Sequence, residues 1–314
     1  MAILDLIIIG AGPAGLTAAQ YGARANLKVL VIEMLSVGGQ AILIDVLENY
    51  PGNAGQNDMP PKSGYEFAVD LHRQAELFGA SIIINKIKSV KKIDSFFEVL
   101  LDDGTMYLAP VIIIATGAKP RLLEIPGEAA FTGRGVSYCA TCDGHFFKGK
   151  KIFVVGGGDA ACDEARYLAN LTTKVILIHR RDSFRAQKAL AARTLENPNI
   201  EVRFNTVIKE IKGEQKVKTV VLQKTDNSDS YEEDADAVFI FAGTVPQTSV
   251  INNLEIEKNE DGYIIVNQKM ETSIEGLYAA GDVRAGAFRQ VVTAAADGAI
   301  AAHNAAKFID QMNN

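Results

Sequence analysis

Residues 4–15 read Leu4-Asp5-Leu6-Ile7-Ile8-Ile9-Gly10-Ala11-Gly12-Pro13-Ala14-Gly15, and after an alanine-rich stretch the chain continues Lys28-Val29-Leu30-Val31-Ile32-Glu33. Four apolar residues closed by glycine read as a buried strand. Glycines at positions 10, 12 and 15, directly after a strand and at the opening of a helix, let the backbone approach a pyrophosphate. The helix N-terminus then offers unpaired N–H groups and the positive end of its dipole. Pro13 suits the first helical position, and Ala14 keeps the turn small. Glu33, at the end of the second strand, is placed to accept hydrogen bonds from an adenosine ribose. Glycine spacing alone is a weak signal, since a tight turn in a nucleotide-free α/β fold uses the same residues. The strand, helix and acid around it make the reading specific.

The plan occurs twice. Residues 150–155 read Lys-Lys-Ile-Phe-Val-Val, followed by Gly156-Gly157-Gly158-Asp159-Ala160-Ala161, a helix to Leu171, and Lys174-Val175-Ile176-Leu177-Ile178-His179. In each copy the residue closing the second strand stands 23 positions after the first glycine (10 to 33, 156 to 179). The expected fold is therefore α/β, with two Rossmann-like three-layer dinucleotide-binding domains. A length of 314 residues accommodates both. Two further apolar runs, Val111–Ala115 and Ala237–Phe241, end in the breaker clusters 116–120 and 242–246. These turns bracket the second fingerprint, so residues 118–244 read as one domain inserted into another made of 1–117 and 245–314. Phe96–Leu101 and Val217–Gln223 read as small antiparallel strands beside each core. Glu232-Glu233-Asp234 reads as a solvated turn.

The second copy departs from the first where the nucleotide would be told apart. In place of Glu33 it has His179-Arg180-Arg181, with Arg185 four residues on. A carboxylate there would repel a ribose 2′-phosphate, whereas a guanidinium pairs with it bidentately. The expected ligand is NADPH, on Gly156, Gly158, Asp159, Ala160 and the basic cluster; an exposed basic face without a ligand is the alternative.

Between the two regions lies Cys139-Ala140-Thr141-Cys142-Asp143-Gly144. Two cysteines at this spacing can close a disulfide within one turn at a helix N-terminus, where thiolate is stabilised. Half of a zinc site has the same spacing, but the chain has only one more cysteine, Cys162, and its four histidines are scattered. No metal site within the chain is expected, although a zinc shared between chains stays open. Disulfide reduction needs protons at the leaving sulfur, and both Asp143 and His145 stand close enough in sequence to supply them. Cys162, on an alanine-rich helical face, reads as a small packing residue.

With these motifs in place the chain resembles the low-molecular-weight thioredoxin reductases, two-domain members of the pyridine nucleotide:disulfide oxidoreductase class. The resemblance runs from Gly10 to the C-terminal helix and includes Gly38-Gly39-Gln40, Leu47-Glu48-Asn49-Tyr50-Pro51-Gly52, His179-Arg180-Arg181-Asp182-Ser183-Phe184-Arg185-Ala186, Ala279-Ala280-Gly281-Asp282 and Arg289-Gln290. It implies FAD as the first nucleotide, lined by Gly39, Gln40 and Asn49, with Asp282 on the ribityl chain and Arg289 and Gln290 near the isoalloxazine. It implies NADPH-driven reduction of thioredoxin through Cys139 and Cys142. By the same resemblance Asp143 is the acid, Cys142 meets the flavin and Cys139 attacks the partner. It further implies a homodimer built through the FAD domain, for which the alanine-rich C-terminal helix is the candidate contact. NADPH and the cysteine pair fall on one domain and the flavin on the other, so they are expected to take turns by rotation about the two connections. A peroxiredoxin- or glutaredoxin-like acceptor is the rival substrate, and a flavin-binding module without turnover the rival class. Two stretches depart from the family: the polar 53–63 loop, and 242–248, where Gln247 replaces the usual Asn.

The composition closes off other classes. A formal charge of -6 leaves no basic excess for phosphate backbones, so no nucleic-acid partner is expected. The apolar run at Leu6–Ile9 is too short to cross a membrane and has no basic flank of an export signal, so the expected address is the cytoplasm.

Overall fold

The computed structural model describes residues 2–44, 46–47, 49–53, 61–227 and 229–313. Most of the 53–63 departure, and Glu48, therefore lie outside the described residues. The chain divides into two compact units, Met1–Lys119 with Val245–Asn314, and Pro120–Thr244.

In the first unit five parallel strands lie in the order Leu277–Ala279, Val111–Ile114, Leu6–Ile9, Val29–Glu33, Ser81–Ile84. Leu6–Ile9 is central, with Ile7 in register with both Leu30 and Ile112. Successive side chains of a strand point to opposite faces, so a strand covered on both sides must be apolar throughout. Leu6 and Ile8 pack with Leu16, Ala18, Leu71, Ala75, Ala301 and Ile309 of three helices, Pro13–Arg24, Gly64–Leu77 and Val291–Asn313. Ile7 and Ile9 pack on the other face with Val90, Phe97, Val99 and Leu101, from an antiparallel sheet that includes Ile87–Ile93 and Phe96–Leu101. Helices, parallel sheet and antiparallel sheet are the three layers.

The second unit repeats them. Its parallel order is Val136–Ser137, Ala237–Phe241, Ile152–Gly156, Val175–Ile178, Ile200–Arg203. Ile152 and Val154 face Ala161, Ala165 and Leu168 of the helix Asp159–Ala169. Phe153 faces Ile208, Ile211, Val220 and Leu222 of a three-stranded antiparallel sheet. Each fully buried aliphatic side chain contributes roughly 1.5–3 kcal/mol, so these two-faced runs dominate the stability of both units.

One sequence expectation needs correction. Residues 232–234 are not a solvated turn but part of the strand Ser230–Asp234. Alternation turns Glu233 inward, where its carboxylate pairs with the Arg203 guanidinium and with Lys151 Nζ at 2.6 Å. A run of acids announces a solvated face only when no cation on a neighbouring strand stands opposite. The alanine stripe of the final helix faces inward, so a contact of that helix with a second chain would use its other face, where Ile300 and Met312 are exposed. Ala294, Ala295, Ala301, Ala302 and Ala305 are buried within the first unit.

That burial is tight. A Cβ on Gly298 would stand 2.1 Å from the Ala14 carbonyl oxygen and 3.1 Å from the Ala18 nitrogen, both backbone atoms of the facing helix. Helices this close tolerate no added atom without moving apart. Gly298→Ala is expected to destabilise the chain by about 1–3 kcal/mol, despite alanine's better helix propensity. Urea denaturation of the two forms measures it.

Candidate functional site

Three constellations carry the residues singled out by sequence. The first surrounds the opening glycine turn. Gly10 has φ +103°, and a Cβ there would meet the Ala115 carbonyl oxygen at 2.4 Å; one on Gly15 would meet the Gly10 oxygen at 1.8 Å. Gly12, at the N-cap of the helix Pro13–Arg24, has no atom within 4 Å of its added Cβ position. Two glycines let backbones touch, and the third leaves open space at a helix N-terminus. Pro13 and Ala14 lie at the head of that helix, and Gly39 is close enough that its Cβ would stand 3.1 Å from the Gly12 Cα. Glu33 Oε2 accepts the Ala11 N–H at 2.8 Å, and Oε1 accepts those of Met34 and Leu35. The acid therefore holds the turn as well as standing at the end of its strand.

Other elements converge there. Ser63 caps the helix Gly64–Leu77, accepting the Glu66 N–H while the Glu66 carboxylate accepts its own. A Cβ on Gly64 would stand 1.8 Å from the Ala41 oxygen, so this capped end abuts the turn that carries Gly39 and Gln40. Gln40 Nε2 donates to the Ala118 carbonyl. Asn49 and Gln290, 241 positions apart, are joined by an Nδ2–Oε1 hydrogen bond of 3.1 Å. The Arg289 guanidinium lies over the Tyr263 ring at 4.7 Å. Asp282 sits in the short turn Gly281–Val283, and burial pushes its carboxyl up, aided by Asp297 and opposed by Arg289 and Arg284. Sequence reasoning missed Asp297. Buried, it accepts the Gly281 N–H at 3.2 Å and grips Arg284 through both oxygens at 2.6 and 3.0 Å. An acid inside an otherwise alanine-rich helical run was the available signal.

The second constellation surrounds the second turn. Gly158, at the N-cap of the helix Asp159–Ala169, again has open space at its Cβ position. Gly156 cannot carry a Cβ, which would stand 2.7 Å from the Phe241 oxygen. Gly157 lies against the His179 ring, 2.2 Å from any added Cβ. His179 is buried, and its Nε2 has no hydrogen-bond partner among the described residues. Burial, followed by Arg185, Arg181 and Arg180, pushes its pKa down, so the ring is neutral. Those three arginines are exposed, and none forms an ion pair among the described residues. Arg203 on the neighbouring strand is already occupied by Glu201 and Glu233. Asp159 accepts the Gln187 N–H at 2.7 Å, and Arg185 N–H donates to the Gly157 carbonyl at 2.7 Å, which ties the basic loop to the glycine turn. Ala160 follows in the first turn of the helix.

The third constellation is in the same unit. Cys139 and Cys142 are joined by a disulfide with Cα atoms 5.3 Å apart. Cys139 is the N-cap of the short helix Ala140–Asp143, its sulfur accepting the Cys142 N–H at 3.2 Å. Asp143 Oδ2 accepts a 2.5 Å hydrogen bond from Ser137 Oγ, which in turn accepts the Cys139 N–H at 3.1 Å. The structure thus ties Asp143 to the cysteine loop, while His145 lies against Phe146 with ring centroids 3.8 Å apart. A Cβ on Gly144 would meet Leu168 at 2.8 Å, so the loop rests on the helix Asp159–Ala169. Ser137 was not foreseen, because nothing in its sequence position announces a bond to a carboxylate six residues on. Cys162 is fully buried, as its alanine-rich face suggested, and its thiol is pushed up by burial. Among the described residues there is no metal-holding cluster, and no helix is long and apolar enough to cross a membrane.

The chemistry of both glycine turns fits dinucleotides: open glycines at helix N-termini, an acid closing one second strand and unpaired guanidinium groups closing the other. The family model "Pyridine nucleotide-disulphide oxidoreductase" matches residues 4–298. A thioredoxin reductase of Treponema pallidum (strain Nichols) is 53% identical over 310 residues, covering 99% of this chain and 98% of its own. One from Bacillus subtilis (strain 168) is 44% identical over 312 residues, covering 99% and 96%. The crystal structure of thioredoxin reductase from Streptococcus pyogenes MGAS5005 superposes with a TM-score of 0.89 at 41% identity, over 99% of each chain. The chain belongs to the pyridine nucleotide-disulphide oxidoreductase family, whose members use a flavin and a pyridine nucleotide.

One carboxyl in the second unit gives a pH signature. Burial, with a smaller contribution from Asp163, pushes Glu164 from 4.5 up to about 7, and its Oε2 is buried without a partner among the described residues. A carboxyl that holds its proton more tightly when folded contributes stability below pH 4.5, and that contribution is lost as pH rises through about 7. Glu164→Gln is expected to flatten that decline, leaving the variant more stable than the parent at pH 8 but not at pH 4. Denaturant unfolding at the two pH values shows whether it does.

Proposed function

We propose that the chain is an NADPH-dependent thioredoxin-disulfide reductase that carries FAD. The observation that carries this reading is the Cys139–Cys142 disulfide, seated beside a held carboxyl in the unit that also presents the unpaired arginine cluster. Relatives along the whole chain are named thioredoxin reductases, which disfavours a peroxiredoxin- or glutaredoxin-like acceptor. The overall reaction balances as NADPH, a proton and thioredoxin disulfide giving NADP⁺ and thioredoxin dithiol.

In this reading the unit Met1–Lys119 with Val245–Asn314 is the FAD-binding domain. Gly10, Gly12, Pro13, Ala14 and Gly15 cradle the pyrophosphate of FAD, and Glu33 receives its ribose. Gly39, Gln40, Asn49, Asp282, Arg289 and Gln290 line the rest. The unit Pro120–Thr244 is the NADPH-binding domain. There Gly156, Gly158, Asp159 and Ala160 form the phosphate turn, and Arg180, Arg181 and Arg185 take the 2′-phosphate, with His179 packed behind them. When bound, the flavin supplies the two-electron exchange between nicotinamide and disulfide.

The chain's own residues do the thiol chemistry. As the disulfide is reduced, its S–S bond accepts two electrons, and Asp143 delivers a proton to the sulfur that leaves. Cys139 then returns that proton to Asp143 and, as a thiolate, attacks one sulfur of the thioredoxin disulfide, forming a mixed disulfide while the other sulfur leaves and takes the proton from Asp143. Attack by Cys142 on Cys139 releases the reduced partner and restores the pair. Nicotinamide and pair serve the same flavin from one unit, so they take turns, and the two connections at 119–120 and 244–245 are where rotation occurs. In the first unit Gln247 Nε2 donates to the Thr116 carbonyl at 2.8 Å, and Thr116 Oγ1 donates to the Gln247 carbonyl at 2.5 Å. This clasp ties the segment before the first connection to the segment after the second, through the Gln247 at which the sequence departs from its family. Assembly as a homodimer and a cytoplasmic address rest on the resemblance alone.

NADPH should be preferred over NADH by roughly 2–4 kcal/mol, about 30- to 1000-fold, because charge-assisted hydrogen bonds to a phosphate are each worth about 1.5–3 kcal/mol. Arg180→Ala with Arg181→Ala should remove most of that preference and leave turnover with NADH largely intact in steady-state assays. Equal loss with both nucleotides counts against the phosphate site.

The relay itself is tested by single substitutions. Cys142→Ser should let Cys139 trap a single-cysteine thioredoxin whose thiol is activated as a mixed disulfide with thionitrobenzoate, displacing the thionitrobenzoate, whereas Cys139→Ser should trap far less. Both should lose nearly all thioredoxin turnover while NADPH still bleaches the flavin. Substantial turnover by either variant would mean that electrons take another route.

A further inference from the structure

Ser137 is the last residue of the strand Val136–Ser137, in register with Phe239 of the neighbouring parallel strand, and it is 5% exposed. The cysteine loop follows at once. Its turn closes on itself through the Asp143 N–H to the Cys139 carbonyl at 3.2 Å and the Cys142 N–H to the Cys139 sulfur. The Ser137 hydroxyl joins this loop to the sheet at two points, accepting from Cys139 N at 3.1 Å and donating to Asp143 Oδ2 at 2.5 Å. The Cys139 carbonyl lies farther from the same oxygen, at 3.3 Å. A hydroxyl has one proton, and the shorter contact to a charged acceptor takes it.

We propose that Ser137 is a positioning residue for the disulfide chemistry, its hydroxyl fixing the Asp143 carboxyl and the Cys139 backbone in one geometry. The proposal rests on Asp143 being the acid in the reading above. With Oδ2 accepting the serine proton, a proton carried by Asp143 resides on Oδ1, so Ser137 decides which oxygen delivers it. In the delivery step the Asp143 O–H bond breaks as the S–H bond forms at the leaving cysteine, and the serine keeps its own proton throughout.

The surroundings make the hydroxyl the specific partner. Strand alternation turns Tyr138 away from Ser137, and its hydroxyl donates to Glu128 at 2.9 Å. Glu128 is buried and also accepts the Leu123 and Glu124 N–H groups, so that acid is fully engaged elsewhere. On the elements packed against the loop, the other titratable or charged groups are Cys139 and Cys142, His145 and Lys148 beyond it, and Asp159, Asp163, Glu164, Arg166 and Tyr167 on the helix Asp159–Ala169. Asp163 and Arg166 face each other at 3.9 Å.

A hydrogen bond donated to a carboxylate stabilises its ionised form, so removing it lets the acid hold its proton to higher pH. The test is the pH profile of thioredoxin turnover by the flavin-loaded enzyme, compared among the parent, Ser137→Ala, Ser137→Thr and Asp143→Asn. Flavin bleaching by NADPH serves as the control for folding and cofactor loading. Ser137→Ala should lower turnover at pH 7 about tenfold, the scale of one lost charge-assisted hydrogen bond, and move the alkaline limb upward by about one pH unit. Ser137→Thr, which keeps a hydroxyl, should return the limb to its parental position. Asp143→Asn should abolish the limb. If Asp143→Asn abolishes it while Ser137→Ala leaves it in place, the positioning role is overturned and the acid assignment stands. A limb moved equally by Ala and Thr also overturns it, since packing and not the hydroxyl would be the cause. A limb that survives in Asp143→Asn removes the acid assignment and this proposal together. Should Ser137→Ala fail to bind flavin, Ser137→Gly removes the same hydroxyl without filling space and carries the same expectations.

Discussion

Backbone meeting backbone, with no side chain between, is the constraint on which the first unit is organised. Three glycines place strand, helix and helix in contact at successive points. Gly10 lies against the carbonyl of Ala115, Gly15 against that of Gly10, and Gly298 against that of Ala14. Each leaves less room than one methyl group requires. The helix Pro13–Arg24 is thereby drawn down onto the sheet with its N-terminus directed along the exit of the central strand. The final helix is drawn down onto it in turn, which brings Asp297 to the Gly281 N–H and so holds the turn carrying Asp282. A glycine turn assembled this way owes its shape to missing atoms.

The second unit uses the same construction with a different closure. Glu33 reaches back to the Ala11 N–H through its carboxylate, so in the first unit a charge secures the glycine turn. At the equivalent position His179 offers a neutral ring, which packs against Gly157 and leaves the charged work to exposed neighbours. A histidine kept neutral adds nothing to the positive field of Arg180, Arg181 and Arg185. It fills the volume behind them and spaces the basic loop from the turn. One topology thus acquires two electrostatic characters from the residue that ends its second strand.

The three-layer α/β fold was legible because each core strand is an uninterrupted apolar run, and such runs arise where both faces are covered. The glycine turns were legible because close approach leaves a mark on residue type. Partners of polar side chains were not. Ser137 and Asp143, Glu128 and Tyr138, Asp297 and Arg284 meet because folding carries them together, and no periodicity records it. Glu233 was misread for the same reason: strand alternation points it at Arg203 and Lys151, which lie 30 and 82 positions away in sequence. The alanine stripe of the last helix was legible as a close-packing surface, but whether its neighbour is the same chain or another is a tertiary fact.

Cys162 lies wholly inside the helix layer of the second unit, its thiol held protonated by its surroundings. In most proteins such a residue would be an unremarkable packing choice. Here the same fold keeps an exchangeable disulfide, and any thiolate able to reach it would enter the exchange as a competitor. Three sulfurs in contact can settle into three pairings, of which only one passes electrons onward. Walling off the third sulfur insulates the circuit, so that current arriving at the pair has one outlet.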